Sequence, residues 1–209
     1  MRAVLVHSPA VGPSTWRWVA EALTRRGHAV TVPDLRPAVA TGDPAAFVAA
    51  ALAPEADVVV GHSGAGPLVA GAGGRVVLVD AGFPAEGADP FVAHLRGLAV
   101  DGVLPPWSTW FGPDVVAGMV PDPARRAAVR ADEPRVPLAF YEAPRPATTL
   151  PAAGGYVLLS EAYRPDAERA AAHGWTVGEV PTSHLGLVTH PGEVATAIEQ
   201  AASARRSGR

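Results

Sequence analysis

The feature that most constrains the fold of this chain is a repeated alternation between short, β-branched apolar runs and helical stretches. Continuous apolar runs of this length are typical of strands buried in a parallel sheet, and the intervening helices are the crossovers that parallel strands need. The pattern therefore predicts an α/β fold with a mostly parallel sheet of about six strands and helices on both faces. The predicted strands are residues 3–6, 29–32, 57–60, 75–79, 156–159 and 175–180.

The alternation breaks down between residues 81 and 155. This segment holds many of the prolines and several large aromatic residues, so it is too apolar for a disordered linker and too irregular for a sheet. We predict one domain over residues 1–209, in which residues 81–155 form a mostly helical insertion that covers one edge as a cap, and residues 156–209 resume the core. Helices are predicted over residues 15–26, 44–52, 165–172 and 191–202, with another running from Ser63 to about residue 72.

Composition limits the available chemistry. The 209 residues include 17 basic and 20 acidic side chains, a formal net charge of −3, so no basic excess favours nucleic acid or an anionic membrane surface. Cysteine is absent, which excludes disulfides, thiolate metal sites and a cysteine nucleophile. All 17 basic residues are arginine, which excludes a lysine Schiff base and a phosphate-binding loop lysine.

We expect no metal, because the histidines lack metal-ligand spacing with carboxylates. We also expect no cofactor, and a small molecule as the binding partner. Only four apolar residues follow Arg2 before the first polar residue, too few for an export signal. The expected location is the cytoplasm, and residues 204–209 are expected to fray.

A candidate nucleophile, Ser63, lies in the run Gly-His-Ser-Gly-Ala at residues 61–65. The run follows a predicted strand and opens a helix, which is the context of a nucleophile elbow, a tight turn that exposes a serine hydroxyl. Small residues are needed two positions before and after the serine, and Gly61 and Ala65 meet that need. The alternative is a glycine-rich strand-to-helix turn with an incidental serine.

The loop at residues 7–16, His-Ser-Pro-Ala-Val-Gly-Pro-Ser-Thr-Trp, lies between the first strand and the first helix. With the elbow, it resembles small α/β-hydrolases of the methylesterase and hydroxynitrile lyase type: a His-Gly-like turn, a glycine five residues after the histidine, and a tryptophan entering a helix. The resemblance covers nearly the whole chain in element order and is specific at residues 5–16, 61–66 and around His184. It implies an α/β-hydrolase fold with a helical cap.

The resemblance also implies an oxyanion hole, in which this loop supplies one N–H group. The matching residue is Pro9, which has no N–H to donate. The Gly64 amide is expected to be the other donor. The Ala10 N–H, the Ser8 hydroxyl and the Ser14 hydroxyl are open as substitutes for the missing group.

The candidate general base is His184, which follows the last predicted strand and so fits the order serine, acid, histidine of this fold. A surface loop histidine is the alternative. The resemblance places the acid near position 162, where this chain has Ala162. Asp80, which ends a strand at the same sheet edge as the serine, is favoured over Glu161, with Asp166 third. A serine–histidine pair without an acid is also left open.

The substrate site is predicted to be apolar. His62 is expected to line it beside the nucleophile, and Trp107, Trp110, Phe111 and Met119 either wall it or form the core of the cap.

The first function hypothesis is a serine hydrolase or acyltransferase that acts on an ester or thioester of a small apolar molecule. Ser63 attacks and His184 carries the proton. A second hypothesis is a cofactor-independent lyase, isomerase or cyclase that uses the same pair as a proton shuttle, which Pro9 favours because such reactions need no tetrahedral oxyanion. A third is a catalytically silent ligand-binding protein of this fold.

Overall fold

Six strands form one sheet in which every neighbouring pair is parallel, as the alternating pattern predicts. The computed structural model describes residues 1–72, 74–84, 90–146 and 149–203. The strands are β1 (Arg2–Val6), β2 (Ala29–Thr31), β3 (Val58–His62), β4 (Arg75–Val79), β5 (Gly155–Leu158) and β6 (Thr176–Glu179). Their order in the sheet is β2-β1-β3-β4-β5-β6.

Burial follows position in the sheet. Every residue of β3 and β5 is buried, as are the last four residues of β1 and β4, whereas the edge strands β2 and β6 have no fully buried residue. Central strands are covered on both faces, which explains why their sequences are continuously apolar.

Helices flank the sheet. Outside the β4–β5 connection the helices are α1 (Arg17–Arg25), α2 (Arg36–Val39), α3 (Pro44–Ala51), α4 (Gly66–Val69), α9 (Arg164–Ala172), α10 (Gly186–Thr189) and α11 (Pro191–Ser203). α1 packs on α11, which also contacts β4, β5 and β6. α3 packs on α4, and α9 packs on β5 and β6.

The helix predicted from Ser63 to about residue 72 is shorter than expected. A 3-10 turn at Ser63–Ala65 leads into α4, which ends at Val69. Glycine disfavours helix, and Gly71 and Gly74 follow, with Gly74 at a positive φ of 67° where the chain turns into β4.

The described part of the segment between β4 and β5 consists of short helices joined by irregular loops, so it is less regular than the mostly helical insertion predicted. It contains α5 (Pro90–Leu98), α6 (Val115–Met119), α7 (Pro123–Ala131) and α8 (Leu138–Glu142), with a 3-10 turn at Trp107–Thr109. Its role as a cap stays a prediction. The prediction of a frayed C-terminal end falls on residues outside the described ranges. Within those ranges, no helix combines the length and apolarity needed to cross a membrane.

The topology determines where a site can form. The chain moves outward in one direction from β1 to β2, then returns and builds from β3 to β6 in the other direction. In open parallel sheets, ligands bind outside the carboxyl ends of the strands at such a switch point. The residues that follow β1, β3, β4 and β6 at this edge include Ser8, Ser63, Asp80 and His184.

Candidate active site

Ser63 lies on a sharp turn directly after β3. Its φ of 55° is in the left-handed region, which costs a non-glycine residue about 1–3 kcal/mol and occurs mainly where the surrounding structure imposes it. The turn is tight: a Cβ at Gly61 would lie 2.6 Å from Val69 Cγ2, and Ala65 is fully buried. The small residues at these two positions therefore allow the strand and helix to approach closely and expose the hydroxyl.

A chain of hydrogen bonds links Ser63, His184 and Asp80. Ser63 Oγ lies 3.0 Å from His184 Nε2, and His184 Nδ1 lies 2.7 Å from Asp80 Oδ2. Because a carboxylate only accepts, Nδ1 carries the hydrogen and the neutral ring leaves Nε2 as an acceptor for the serine hydroxyl. This arrangement can move the serine proton onto the imidazole while the carboxylate holds the ring.

The Asp80 carboxylate is fully buried and saturated with donors. Oδ1 accepts the Leu159 and Ser160 N–H groups at 2.9 Å each, and Oδ2 accepts the Ser160 hydroxyl at 2.6 Å and His184 Nδ1–H at 2.7 Å. Burial alone would raise the pKa of Asp80, but the hydrogen bonds from His184 and Ser160 and the His184 charge lower it below its ordinary value. The carboxyl is therefore held in its charged form.

The two other carboxylates considered for this role lie elsewhere. The Glu161 side chain is 80% exposed and pairs with Arg164 at 2.7 Å, so the alternative that placed it against His184 is wrong. Its position at the start of the turn after β5 directs it to solvent. Asp166 accepts the Phe83 N–H at 2.7 Å and pairs with Arg169.

His62 supports His184 and is absent from the cavity lining, which corrects the prediction that it contacts substrate. The two imidazoles stack at 4.6 Å, and His62 Nε2 donates to the His184 carbonyl at 3.0 Å. Burial and the nearby His184 charge lower the pKa of His62 to about 3, so this ring is neutral. Its Nδ1 and the Trp16 Nε1 are both buried without a partner among the described residues, and the two rings meet edge to face at 6.0 Å.

Tyr163 contacts both members of the Ser63–His184 pair and was not foreseen from the sequence. Its ring stacks on His184 with centroids 4.9 Å apart and planes within 8°, and its hydroxyl lies 3.4 Å from Ser63 Oγ. Burial raises the pKa of Tyr163 to about 12, so the hydroxyl keeps its hydrogen. The only sequence signal is that Tyr163 follows β5 at the edge where the acid was sought.

The predicted oxyanion region surrounds Gly64. As one of the first N–H groups of a helical turn, the Gly64 N–H has no intrahelical acceptor. A Cβ at Gly64 would lie 3.3 Å from Ser8 Oγ and 3.4 Å from Pro9 Cδ, so these residues face it directly. The Ala10 N–H points to Ser8 Oγ at 3.4 Å, and the Ser14 hydroxyl donates to the Ala128 carbonyl at 3.0 Å. Ser14 is therefore excluded as a substitute donor.

A cavity of about 650 Å³ opens onto Ser63 and His184. Its wall is mainly apolar and aromatic, and the predicted residues Trp107, Trp110, Phe111 and Met119 all contribute to it. Trp107 and Trp110 are nearly buried, whereas Phe111 is 57% exposed. Other apolar and aromatic residues of the wall include Ala10, Pro44, Pro67, Leu68, Phe83, Phe91, Phe140, Tyr141, Ala162 and Tyr163, and its charged members include Asp166, Arg145 and Arg169.

Within the part of the chain that the structure describes, no group of three or more histidine and acidic side chains is arranged to hold a metal ion. The site consists of a serine, an imidazole and a carboxylate beside a mainly apolar cavity.

Solved structures with a similar fold cover nearly the whole chain. An extracellular alpha/beta-hydrolase from a Paenibacillus species is 17% identical, with a TM-score of 0.63 over 98% of this chain and 100% of that one. A pyrethroid hydrolase from Sphingobium faniae JZ-2 is 19% identical, with a TM-score of 0.63 over 98% of each chain. A variant of tomato methylketone synthase I, complexed with beta-ketoheptanoate, is 14% identical, with a TM-score of 0.68 over 96% of this chain and 97% of that one.

Comparison of the sequence with family models identifies the family. No protein of curated function is similar enough in sequence to be matched. The model of the alpha/beta hydrolase family matches residues 3–197, which is nearly the whole chain and includes every residue of the site. The chain therefore belongs to the alpha/beta hydrolase family.

Proposed function

We propose that this protein is a serine hydrolase or acyltransferase that acts on an ester or thioester of a small apolar molecule. The observation that carries the proposal is the unbroken hydrogen-bond chain from Ser63 Oγ through His184 to Asp80, which begins at the wall of a mainly apolar cavity. Acyl transfer of this kind requires a nucleophile, a base and an acid that orients the base, each within hydrogen-bond distance of the next.

In the first half of the reaction, Ser63 Oγ attacks the carbonyl carbon while His184 Nε2 takes the hydroxyl proton. The tetrahedral intermediate carries its negative charge on the former carbonyl oxygen, which the Gly64 N–H stabilises. The intermediate collapses, the bond to the leaving alcohol or thiol breaks, and His184 returns the proton to that leaving group. An acyl group then remains on Ser63 Oγ.

In the second half, water or another hydroxyl-bearing acceptor attacks the acyl-enzyme. His184 Nε2 takes the proton from the acceptor and returns it to Ser63 Oγ as the acyl group departs. Asp80 holds Nδ1–H throughout and stabilises the imidazolium that forms in each half.

The shape and lining of the cavity support the proposed substrate class. A volume of about 650 Å³ fits a small molecule, and indole and phenyl rings form much of the wall. We propose that the helical segment between β4 and β5 acts as a cap, since it supplies Trp107, Trp110, Phe111 and Met119 to that wall. One solved structure with a similar fold is named a pyrethroid hydrolase, which supports the hydrolase class of the proposal.

Hydrolysis of a series of p-nitrophenyl esters of increasing acyl length tests the proposal. We expect turnover by the wild type and a loss of about 10⁴-fold or more in Ser63→Ala and in His184→Ala, because residues that act as one unit cost similar amounts when removed singly. Ser203→Ala, on the last turn of α11 and outside the cavity, is the matched control and should match the wild type. Ester turnover that survives in Ser63→Ala would refute the proposal.

A non-hydrolytic role for the same pair is a second candidate, and Pro9 is the observation that favours it. A lyase, isomerase or cyclase can use His184 to move protons without forming a tetrahedral oxyanion. Such an enzyme would turn over no ester and form no acyl-enzyme, yet would exchange an acidic substrate proton with deuterated water. A catalytically silent binding protein would show neither activity, so the two assays separate the three functions.

A further inference from the structure

We propose that the Ser8 hydroxyl is the second oxyanion donor of this site, in place of the backbone N–H that Pro9 lacks. The inference rests on the proposed function, because only an acyl transfer creates the oxyanion. It adds to that function a catalytic residue whose hydroxyl touches the reacting oxygen.

The position of Ser8 fits a donor that works together with Gly64. Ser8 and Gly64 both line the cavity that contains Ser63 Oγ. Outside residues 63–65, Ser8 Oγ is the nearest described atom to a Cβ built on Gly64, at 3.3 Å. Ser8 Oγ and Gly64 are therefore neighbours in the cavity wall beside Ser63, and we place the carbonyl oxygen of a bound ester between the Gly64 N–H and the Ser8 hydroxyl.

The hydrogen bonds of Ser8 leave its hydroxyl hydrogen available. Ser8 Oγ accepts the Ala10 N–H at 3.4 Å, which occupies a lone pair and not the hydrogen. No acceptor for this hydrogen is found among the described residues, although Ser8 is only 6% exposed. A nearly buried hydroxyl with an uncommitted hydrogen, facing a cavity, is suited to donate to a bound oxygen.

The backbone of Ser8 is fixed from two sides. Its carbonyl accepts the Val11 N–H at 3.2 Å and His7 Nδ1–H at 2.9 Å, and His7 Nε2 in turn accepts the Leu35 N–H at 3.0 Å. The bond from Val11 closes a β-turn with Pro9 at its second position, where the proline ring presets the backbone. Pro9 thus removes one donor and stiffens the turn that carries another.

Rigidity of this kind is what an oxyanion donor requires. Donors that are already oriented need not reorganise as charge develops, and removing one such donor typically costs about 10²–10³-fold in kcat. Because the bond forms fully only in the tetrahedral intermediate, its loss should lower kcat and leave KM almost unchanged.

The test compares kcat and KM for a p-nitrophenyl ester and the inhibition constant of a matching trifluoromethyl ketone, which forms an oxyanion adduct with a serine. In Ser8→Ala we expect kcat to fall about 10²–10³-fold and the inhibition constant to rise by a similar factor. Ser8→Cys keeps the side-chain volume and a weaker donor, so it should lose activity in the same direction even if Ser8→Ala folds poorly. Ser14→Ala is the control, since that hydroxyl is bonded to the Ala128 carbonyl outside the cavity.

The variant Pro9→Ala distinguishes an oxyanion hole that uses the Ser8 hydroxyl from one that is built on backbone N–H groups alone. If the Ser8 hydroxyl already supplies the donor, restoring an N–H at position 9 should not raise kcat, and the less rigid turn should lower it. Near-wild-type kcat and inhibition in both Ser8 variants, or a rise in kcat of about threefold or more in Pro9→Ala, would overturn the inference while ester turnover by the wild type leaves the proposed function intact. A wild type without ester turnover would refute the proposed function and the inference with it.

Discussion

Replacing Asp80 by asparagine tests the role of the buried carboxylate. In the wild type the two oxygens accept the Leu159 N–H, the Ser160 N–H, the Ser160 hydroxyl and His184 Nδ1–H. If the asparagine oxygen keeps the hydrogen bonds from the Leu159 and Ser160 N–H groups, its NH₂ group faces His184 Nδ1. Two donors then face each other, unless the imidazole moves its hydrogen from Nδ1 to Nε2. That tautomer points a hydrogen at Ser63 Oγ and cannot accept its proton.

The expected loss in kcat is about 10⁴-fold, the size found where an asparagine in this position imposes the wrong tautomer. At about 1.36 kcal/mol per tenfold, this corresponds to a loss of about 5 kcal/mol in transition-state stabilisation. The free energy of unfolding should fall by about 1.5–3 kcal/mol, because hydrogen bonds to a buried charge are replaced by weaker ones. Ester kinetics and urea unfolding measure the two quantities.

Glu161→Gln is the matched control for Asp80→Asn. The Glu161 carboxylate is 80% exposed and pairs with Arg164, so we expect kcat within about twofold and a stability change within about 0.5 kcal/mol. The ¹⁵N shifts of His184 report its tautomer directly, and we expect Nδ1–H in the wild type and Nε2–H in Asp80→Asn. Near-wild-type rates in both variants would refute the assignment of Asp80, as would a larger loss in Glu161→Gln.

The pH dependence of stability offers an independent check on Asp80. Its pKa in the folded protein lies below its ordinary value of about 3.9, so the folded state binds the proton less readily than the unfolded state. The stabilisation is therefore fully present above about pH 4 and is lost as pH falls through the folded pKa. The difference in unfolding free energy between the wild type and Asp80→Asn should shrink over that range, and a constant difference would contradict this account.

Three further outcomes follow from the packing around the site. The pKa of His62 is about 3 in the folded protein and that of an unfolded histidine is about 6.5, so only the unfolded state binds a proton here between pH 7 and pH 5. This residue should therefore lower the free energy of unfolding by about 2 kcal/mol as the pH falls over that range, and its contribution should disappear in His62→Gln. An equal loss in the wild type and in His62→Gln would contradict the buried, neutral ring. Tyr163→Phe keeps the stacked ring but removes the hydroxyl that lies 3.4 Å from Ser63 Oγ. The kcat for ester hydrolysis should fall about fivefold, and the unfolding midpoint should stay the same. A kcat equal to that of the wild type would exclude this contact from the reaction. Gly61→Ala places a Cβ 2.6 Å from Val69 Cγ2 and should lower the free energy of unfolding by about 1–3 kcal/mol, measured in urea. Val69 is fully buried, so Val69→Ala is itself destabilising, but the further cost of Gly61→Ala should be smaller in that background than in the wild type. An equal cost in both backgrounds would locate the strain elsewhere.

The sheet and the turn that bears Ser63 could be predicted because their signals are local. Continuous apolar runs predict buried parallel strands. The turn after β3 requires only that Gly61 and Ala65 be small, because the strand and the helix meet closely there. Asp80 is favoured over Glu161 because it ends a predicted strand at the same sheet edge as Ser63, and in the structure β3 and β4 are neighbours whose carboxyl ends share that edge. The structure places the Asp80 carboxylate against His184; the catalytic role stays a prediction.

The contacts around His184 could not be predicted because they join distant parts of the chain. His62 precedes the candidate nucleophile in sequence, yet its ring turns behind the base and stacks on it, a direction that sequence position does not reveal. Tyr163 reaches Ser63 from the turn after β5 across 100 residues of sequence, and Ser160 meets Asp80 from the same turn. Side-chain direction in irregular turns depends on packing, for which the sequence offers no periodic signal.

The central claim is that Ser63 Oγ is a nucleophile activated by His184. Its most direct test is covalent labelling of the folded protein by a fluorophosphonate, followed by intact-mass measurement and peptide mapping. We predict one label per chain, located on Ser63, absent in Ser63→Ala and formed much more slowly in His184→Ala. Folded wild type that stays unlabelled, or a label on another residue, would contradict the claim.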